Sequence, residues 1–317
     1  MAADVVRLLV EQAIRAPSSH NTQPWRFRRA DGAIELHADR SRALPVNDPD
    51  NRELFISCGA ALLNLRVAAR HYGFLASPDL LPDPADDWLC ARLTLSEAGP
   101  ETPDEALLYA AITRRRTYRK PFADRMVPDD CPQRIREAAE AEDTWLSLVP
   151  AGLRESIAAL VGEGDRRQFA DPGWRRELAR WMRPRSRGDG LTVPAPTAPI
   201  TRTVIRSFNL GARVAKRDAA LLRTAPVVAV LSSRTDDRLA WLATGQALQR
   251  VLLVLATDGI LAAYANQPCQ VGDPLRARLR DALPNLSGHP QLLVQAGYPS
   301  AAASTAPRRP IADVLDA

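Results

Sequence analysis

The 317-residue chain reads as an α+β fold built from two related halves fused in tandem. The run Gly59-Ala60-Ala61-Leu62 reappears as Gly245-Gln246-Ala247-Leu248, and in each copy a second glycine, Gly73 or Gly259, follows at the same distance. Both copies are apolar helices ending at a glycine that suits a left-handed C-cap. A candidate strand comes later in each, Leu89–Leu95 and Gln291–Gly297. A helix-then-strand unit used twice explains the pattern; chance likeness between two apolar helices produces it as well.

The elements follow in order. Residues 3–15 place Val5, Val6, Leu8, Leu9, Ala13 and Ile14 at helical spacing, and Pro17 stops the helix because the residue before a proline is driven out of the α region. Trp25–Arg28 alternates like a strand, and Ala33–His37 pairs with it across an Asp31-Gly32 turn. Asp48-Pro49-Asp50-Asn51 supplies cap chemistry for a long helix reaching about His71. The turn formers of Ser96–Pro103 make a linker, so the first half is expected over 1–100. The second, 104–317, opens with Asp104 capping a helix through about Arg115. Residues 183–202 lack periodicity and are rich in proline, which suits a lid, a mobile loop or a plain surface insertion.

Composition narrows the function classes. Hydrophobic residues at 46% and charged residues at 25% describe an ordinary globular chain. No run approaches the roughly 18 apolar residues of a membrane span. The first residues carry an early acid and no cleavage-site pattern, so a cytoplasmic location is expected. Four cysteines and four histidines are scattered without ligand spacing, which argues against a metal site. The net charge of +5 comes with far more Arg than Lys. Without aromatic–basic interleaving it points to genome composition rather than to nucleic acid.

Four clusters carry chemistry. Between Pro17 and Pro24 lie Ser18, Ser19, Asn21 and Gln23, an uncharged set that suits ribityl-type hydroxyls and ring heteroatoms; a helix C-cap followed by a turn uses the same residue types. Arg115, Arg116, Thr117 and Arg119 offer bidentate guanidinium groups and a hydroxyl to a phosphate, although a solvated helix face produces such runs too. Arg308 and Arg309 sit between two prolines and are either a second phosphate contact or a charged tail. Asn266-Gln267-Pro268 is a turn with amide groups. Glycine-rich nucleotide motifs and hydrolytic triad motifs do not occur.

The segment Ala16-Pro17-Ser18-Ser19-His20-Asn21-Thr22-Gln23-Pro24-Trp25 resembles the APSxxNxQPW segment of the nitroreductase superfamily of FMN proteins. Arg115-Arg116-Thr117-Tyr118-Arg119 resembles its RRSxR phosphate motif, with Thr for Ser, and Pro307–Leu315 is similar to its basic C-terminal segment. Ordinary members carry RRSxR before APSxxNxQPW in one subunit. The reversed order here resembles the Acg-like branch of actinobacteria, in which two units are fused.

The resemblance implies a nitroreductase-like fold in which the two halves form a monomeric pseudo-dimer rather than a homodimer. It implies one FMN per chain in the cleft between the halves, and no nucleic-acid or membrane partner. NAD(P)H would donate electrons, and a small nitro compound or quinone would accept them. By the same resemblance Arg115, Arg116, Thr117 and Arg308 or Arg309 hold the phosphate. Pro17, Ser18, Ser19, Asn21 and Gln23 line the ribityl chain and ring, Asn266, Gln267 and Pro268 lie near the flavin's reactive nitrogen, and Arg119 faces the pyrimidine edge. The flavin itself carries the chemistry, so no catalytic side chain is expected. The alternative is a non-catalytic FMN-sequestering protein whose flavin is covered by the 183–202 lid.

Overall fold

The computed structural model describes residues 3–30 and 32–316. Helix α1 (Ala3–Ala13) buries Val6, Leu9, Val10 and Ala13 along one side. Strands β1 (Trp25–Ala30) and β2 (Ala33–Ala38) pair antiparallel with Trp25 opposite Ala38; Asp31 of the expected turn lies outside the described residues. Helix α2 (Arg52–His71) starts where Asp48 accepts the N–H groups of Glu53 and Leu54 with its two carboxylate oxygens, so this cap chemistry serves as expected. Strands β3 (Phe74–Leu80) and β4 (Leu89–Glu97) complete a sheet ordered β1-β2-β4-β3. β3 was not legible in the sequence: it is an edge strand interrupted by Pro78, a residue edges tolerate.

The second set begins with α3 (Pro103–Arg114). Its cap is Thr102 rather than Asp104: the Thr102 hydroxyl accepts from Glu105 N–H and the Glu105 carboxylate accepts from Thr102 N–H, a reciprocal box with proline at the first helical position. Then come α4 (Cys131–Glu140), β5 (Trp145–Leu148), α5 (Arg154–Ala170) and α6 (Pro172–Trp181). The short strands β6 (Met182–Pro184) and β7 (Leu191–Val193) pair in parallel and lead into α7 (Ala198–Ser207). After α8 (Gly211–Thr224) follow β8 (Val227–Ser233), α9 (Arg238–Thr257), β9 (Leu261–Tyr264), α10 (Gln267–Gln270), α11 (Asp273–Asp281) and β10 (His289–Gly297). The second sheet is antiparallel in the order β5-β8-β10-β9.

The repeated helices α2 and α9 cross at their repeated glycines. A Cβ on Gly245 would overlap the Ile56 carbonyl oxygen and lie 2.8 Å from Gly59 Cα; one on Gly59 would overlap the Leu242 carbonyl oxygen. The missing side chains let the backbones touch, and each helix then lends a residue to the other set's core. Leu242 of α9 packs with Trp25, Phe27 and Leu36 of the first sheet's core, and Ile56 of α2 packs with Leu231, Leu252 and Leu292 of the second. Farther along, Gln249 donates to Asn64 Oδ1 at 2.6 Å.

Helix α9 corrects one expectation: by length and composition it is apolar enough to cross a membrane. Its most apolar stretch is 67% buried, because α9 packs against α2, α3, α4 and strands of the second sheet. A core helix enclosed on most sides carries the same composition as a span.

One element crosses between the expected 1–100 and 104–317 halves. A last short strand, β11 (Leu315–Asp316), pairs in parallel with β1, setting Leu315 opposite Phe27, and Val314 is fully buried in the first core. Residues 314–316 thus pack and pair with the first sheet. The 183–202 stretch is also more ordered than its sequence suggests. Beyond the β6–β7 pair, Asp189 is ion-paired to Arg42 of the first set and to Arg183.

The crossing generates a test. Gly245→Ala is expected to lower the unfolding free energy by about 3 kcal/mol, measured by urea denaturation. Gly99→Ala, with nothing within 4 Å of the added Cβ, is the near-neutral control.

Candidate functional site

Between the two sets of elements lies a cavity of about 560 Å³. The first set contributes Pro17, Ser18, Ser19, His20 and Glu53 to its wall, and the second contributes Thr117, Arg119, Asn266 and Gln267. Leu191 and Thr192, from the stretch expected as a lid, line it too.

The 18–23 turn is compact because His20, Asn21 and Gln23 all take positive φ, at 49°, 53° and 52°. Asn and His adopt this conformation more readily than Gln does. Ser18 Oγ accepts from Gln23 N–H at 2.9 Å and pins the turn. Glu53, in the first turn of α2 and 2% exposed, bridges the halves. Its carboxylate accepts from Ser19 Oγ at 2.6 Å, Asn266 Nδ2 at 3.1 Å and Gln270 Nε2 at 2.9 Å. Burial lowers the His20 imidazole to about 4, with nearby Glu53 opposing the shift and Arg119 adding to it. The ring is therefore neutral at physiological pH.

The arginines separate into two kinds. Arg115 is 6% exposed; its Nη2 donates to Arg15 O at 3.0 Å, while Nε and Nη1 are buried without a partner. Arg308 approaches the same backbone carbonyl; neither arginine is on the cavity wall, and Arg308 lines an adjoining hollow with Arg183, Arg185 and Pro307. It donates to Arg15 O at 2.8 Å, Ala16 O at 3.1 Å and Asn21 Oδ1 at 3.2 Å, and its Nε is unpartnered. Among the described residues neither is ion-paired to a carboxylate. Burial, then repulsion from Arg115, Arg15 and Arg116, pushes Arg308 down to about 9. Sequestered cations crowded together with free N–H groups are costly unless an anion joins them. Thr117 is held beside them by a backbone bridge to Ala262 of β9.

The other kind supports the backbone. Arg116 Nη1 donates to Thr113 O at 2.6 Å and Arg115 O at 2.8 Å. Arg309 donates to Gln23 O at 3.2 Å and Asp313 O at 2.6 Å, anchoring the tail. Between Arg308 and Arg309, only Arg308 keeps a buried donor free.

Three further residues expected at the site are engaged within the protein. Asn21 Nδ2 donates to Gly190 O at 3.3 Å and Pro307 O at 3.2 Å, and Gln23 Nε2 donates to Gly188 O at 2.8 Å. These amides tie down the 188–190 turn and the tail and are not on the cavity wall. Pro268 is buried at the start of α10, off the wall as well. His20, Glu53 and Gln270 were not singled out. His20 occupies a variable position of its motif, and the only signal for Glu53 was a carboxylate on an otherwise apolar helix.

No family model matches the chain. Rv3131 of Mycobacterium tuberculosis, whose name places it provisionally among the NAD(P)H nitroreductases, is 32% identical over 99% of this chain and 92% of its own length. The chain belongs to the nitroreductase family. Another nitroreductase relative, Acg of M. tuberculosis, is 29% identical over 99% of this chain and 96% of its own. The α+β architecture described above is thus a nitroreductase-like fold. A solved nitroreductase, NfnB from Mycobacterium smegmatis in complex with NADPH, superposes with a TM-score of 0.41 at 16% identity, covering 66% of this chain and 96% of that one.

Buried His20 generates a second test. Its folded value of about 4 lies below the ordinary 6.5, so the unfolded chain takes up the proton first. Its contribution is intact above about pH 6.5 and is lost as pH falls toward 4. Relative to His20→Asn, the wild type is expected to lose about 2 kcal/mol of stability between pH 7 and pH 4, the full shift being discounted for the ring's contact with cavity solvent. Paired urea titrations measure it, and the difference removes Asp48, which burial and nearby Glu53 raise to about 7 and which titrates in the opposite sense in both proteins.

Proposed function

We propose that this protein is an FMN-dependent oxidoreductase that passes a hydride from NAD(P)H to an electron-poor acceptor, a nitro compound or a quinone. One FMN per chain is held in the cavity between the halves of a covalent pseudo-dimer. The observation that carries this reading is the pair of guanidiniums, Arg115 and Arg308, with buried N–H groups free and no carboxylate paired to them. A phosphate supplies the missing charge and acceptors.

In this reading Arg115, Thr117 and Arg308 hold the phosphate, and Arg116 and Arg309 support them through the backbone. Ser18 and Ser19 meet the ribityl chain and ring, with Glu53 orienting the Ser19 hydroxyl. The Asn266–Gln267 turn lies along the ring, and Asn21, Gln23 and Pro268 position rather than touch. Arg119 is a fixed cation on the wall, suited to a site where negative charge develops. Neutral His20 adds no charge. Bound FMN supplies hydride acceptance and donation, so the protein's part is to bind, orient and exclude water. The apolar wall of Phe169, Trp174 and Leu178 serves the last.

One observation favours a non-catalytic flavin holder instead: the ion pairs of Asp189 clamp the 183–193 stretch down with Leu191 and Thr192 on the cavity wall. Anaerobic mixing with NADPH decides between the two. Rapid bleaching of a yellow protein is expected for the oxidoreductase, persistent yellow fits the holder, and a colourless protein sinks both. Arg115→Ala and Arg308→Ala are each expected to weaken FMN binding at least about tenfold. Arg116→Ala should change it by no more than about twofold, read by fluorescence quenching of added FMN.

A further inference from the structure

One end of the cavity holds Asp165 and Asp218, which the flavin motifs leave unexplained, beside Gln267 of the 266–268 turn. There α5 and α8 pack together, and α5 is thinned by glycine where the 267 turn approaches: a Cβ on Gly164 would lie 2.6 Å from Gln267 Cβ. This close approach sets Asp165 of α5 and Asp218 of α8 around one side-chain amide. Gln267 Nε2 donates to Asp165 Oδ1 at 3.0 Å and to Asp218 Oδ2 at 3.2 Å. Arg217 Nε donates to Asp218 Oδ1 at 2.7 Å, so Asp218 has a cationic partner. Asp165 has none within ion-pair distance among the described residues. It is 2% exposed, and its Oδ2 is buried without a hydrogen bond, as is Gln267 Oε1. Both residues line the cavity.

Two acceptors from adjoining side chains therefore lack N–H donors, and such burial is costly until a donor arrives. The surrounding wall is apolar, built from Phe169, Trp174, Leu178, Leu210 and Val214. Burial, then the charge of Asp218, raises Asp165 to about 7, with Arg217 and Arg166 opposing.

We propose that this end is the acceptor subsite and takes a ring-sized apolar molecule carrying a protonated amine, whose N–H groups meet Asp165 Oδ2 and Gln267 Oε1. The inference rests on the oxidoreductase reading and narrows its acceptor to cations. A neutral acceptor without an O–H or N–H group leaves both oxygens unpaired, a hydroxyl satisfies one of them without supplying charge, and an anionic acceptor meets the two carboxylates, so the subsite discriminates by repulsion as well as attraction.

The test titrates the protein as purified, flavin included, with para-nitrobenzylamine, para-nitrobenzyl alcohol and para-nitrobenzoate by calorimetry at about pH 7.5, where Asp165 is mostly ionised. The amine is expected to bind about tenfold tighter than the alcohol, with the benzoate weakest. Asp165→Asn should bring amine and alcohol within about twofold while FMN affinity is unchanged. Equal binding of the three, preference for the benzoate, or a preference that survives Asp165→Asn overturns the subsite. Loss of flavin from Asp165→Asn also overturns it, because the unpaired oxygen then serves the flavin. A colourless wild type overturns the oxidoreductase reading and the acceptor role with it, whereas a yellow protein without the preference overturns the subsite alone. Where circular dichroism shows Asp165→Asn unfolded, the wild-type comparison decides.

Discussion

The contact of Gly59 with Gly245 is the constraint on which the rest of the structure depends. Two helices without side chains at their crossing bring their backbones together, and the carbonyls of Ile56 and Leu242 occupy the space that β-carbons would need. That distance sets how far apart the two sheets stand. It also sets whether Glu53, in the first turn of α2, can reach Asn266 and Gln270 on the far side. A wider crossing would break this three-way clasp and open the cavity between the sets. The packing of two glycines and the geometry of the polar cavity wall are one problem.

The cavity shows how unpaired polarity can mark a site when no catalytic constellation exists. In a well-packed interior nearly every buried donor and acceptor is satisfied, so the exceptions are informative by their position. Here free donors belong to Arg115 and Arg308, and unpartnered acceptors on the cavity wall belong to Asp165, Gln267 and Gln295. An apolar wall lies beside the acceptors, as befits a site that must keep water away from a reactive ring.

Much of this was legible in the sequence because it rests on local rules. The glycine repeat identified the two helices that cross, the Asp48 cap marked where α2 begins, and the alternation at Trp25 and Ala33 found the first hairpin. What was hidden depends on distant partners. Thr102 rather than Asp104 starts α3 because the reciprocal bond with Glu105 outweighs a lone carboxylate. Asn21, Gln23 and Arg309 stand out in the sequence, but nothing in their residue types tells whether an amide faces a ligand or the carbonyl of residue 188. The roles of Glu53 and Asp165 arise only when elements over a hundred residues apart meet.

The contacts of residues 308–316 with the first helix and first strand have a consequence for how the protein folds. Val314 and Leu315 fill a groove and edge of the first sheet, and Arg308 closes over the carbonyls of Arg15 and Ala16. A contact between residues 293 apart in the sequence is slow to find, so this corner is expected to order late in folding.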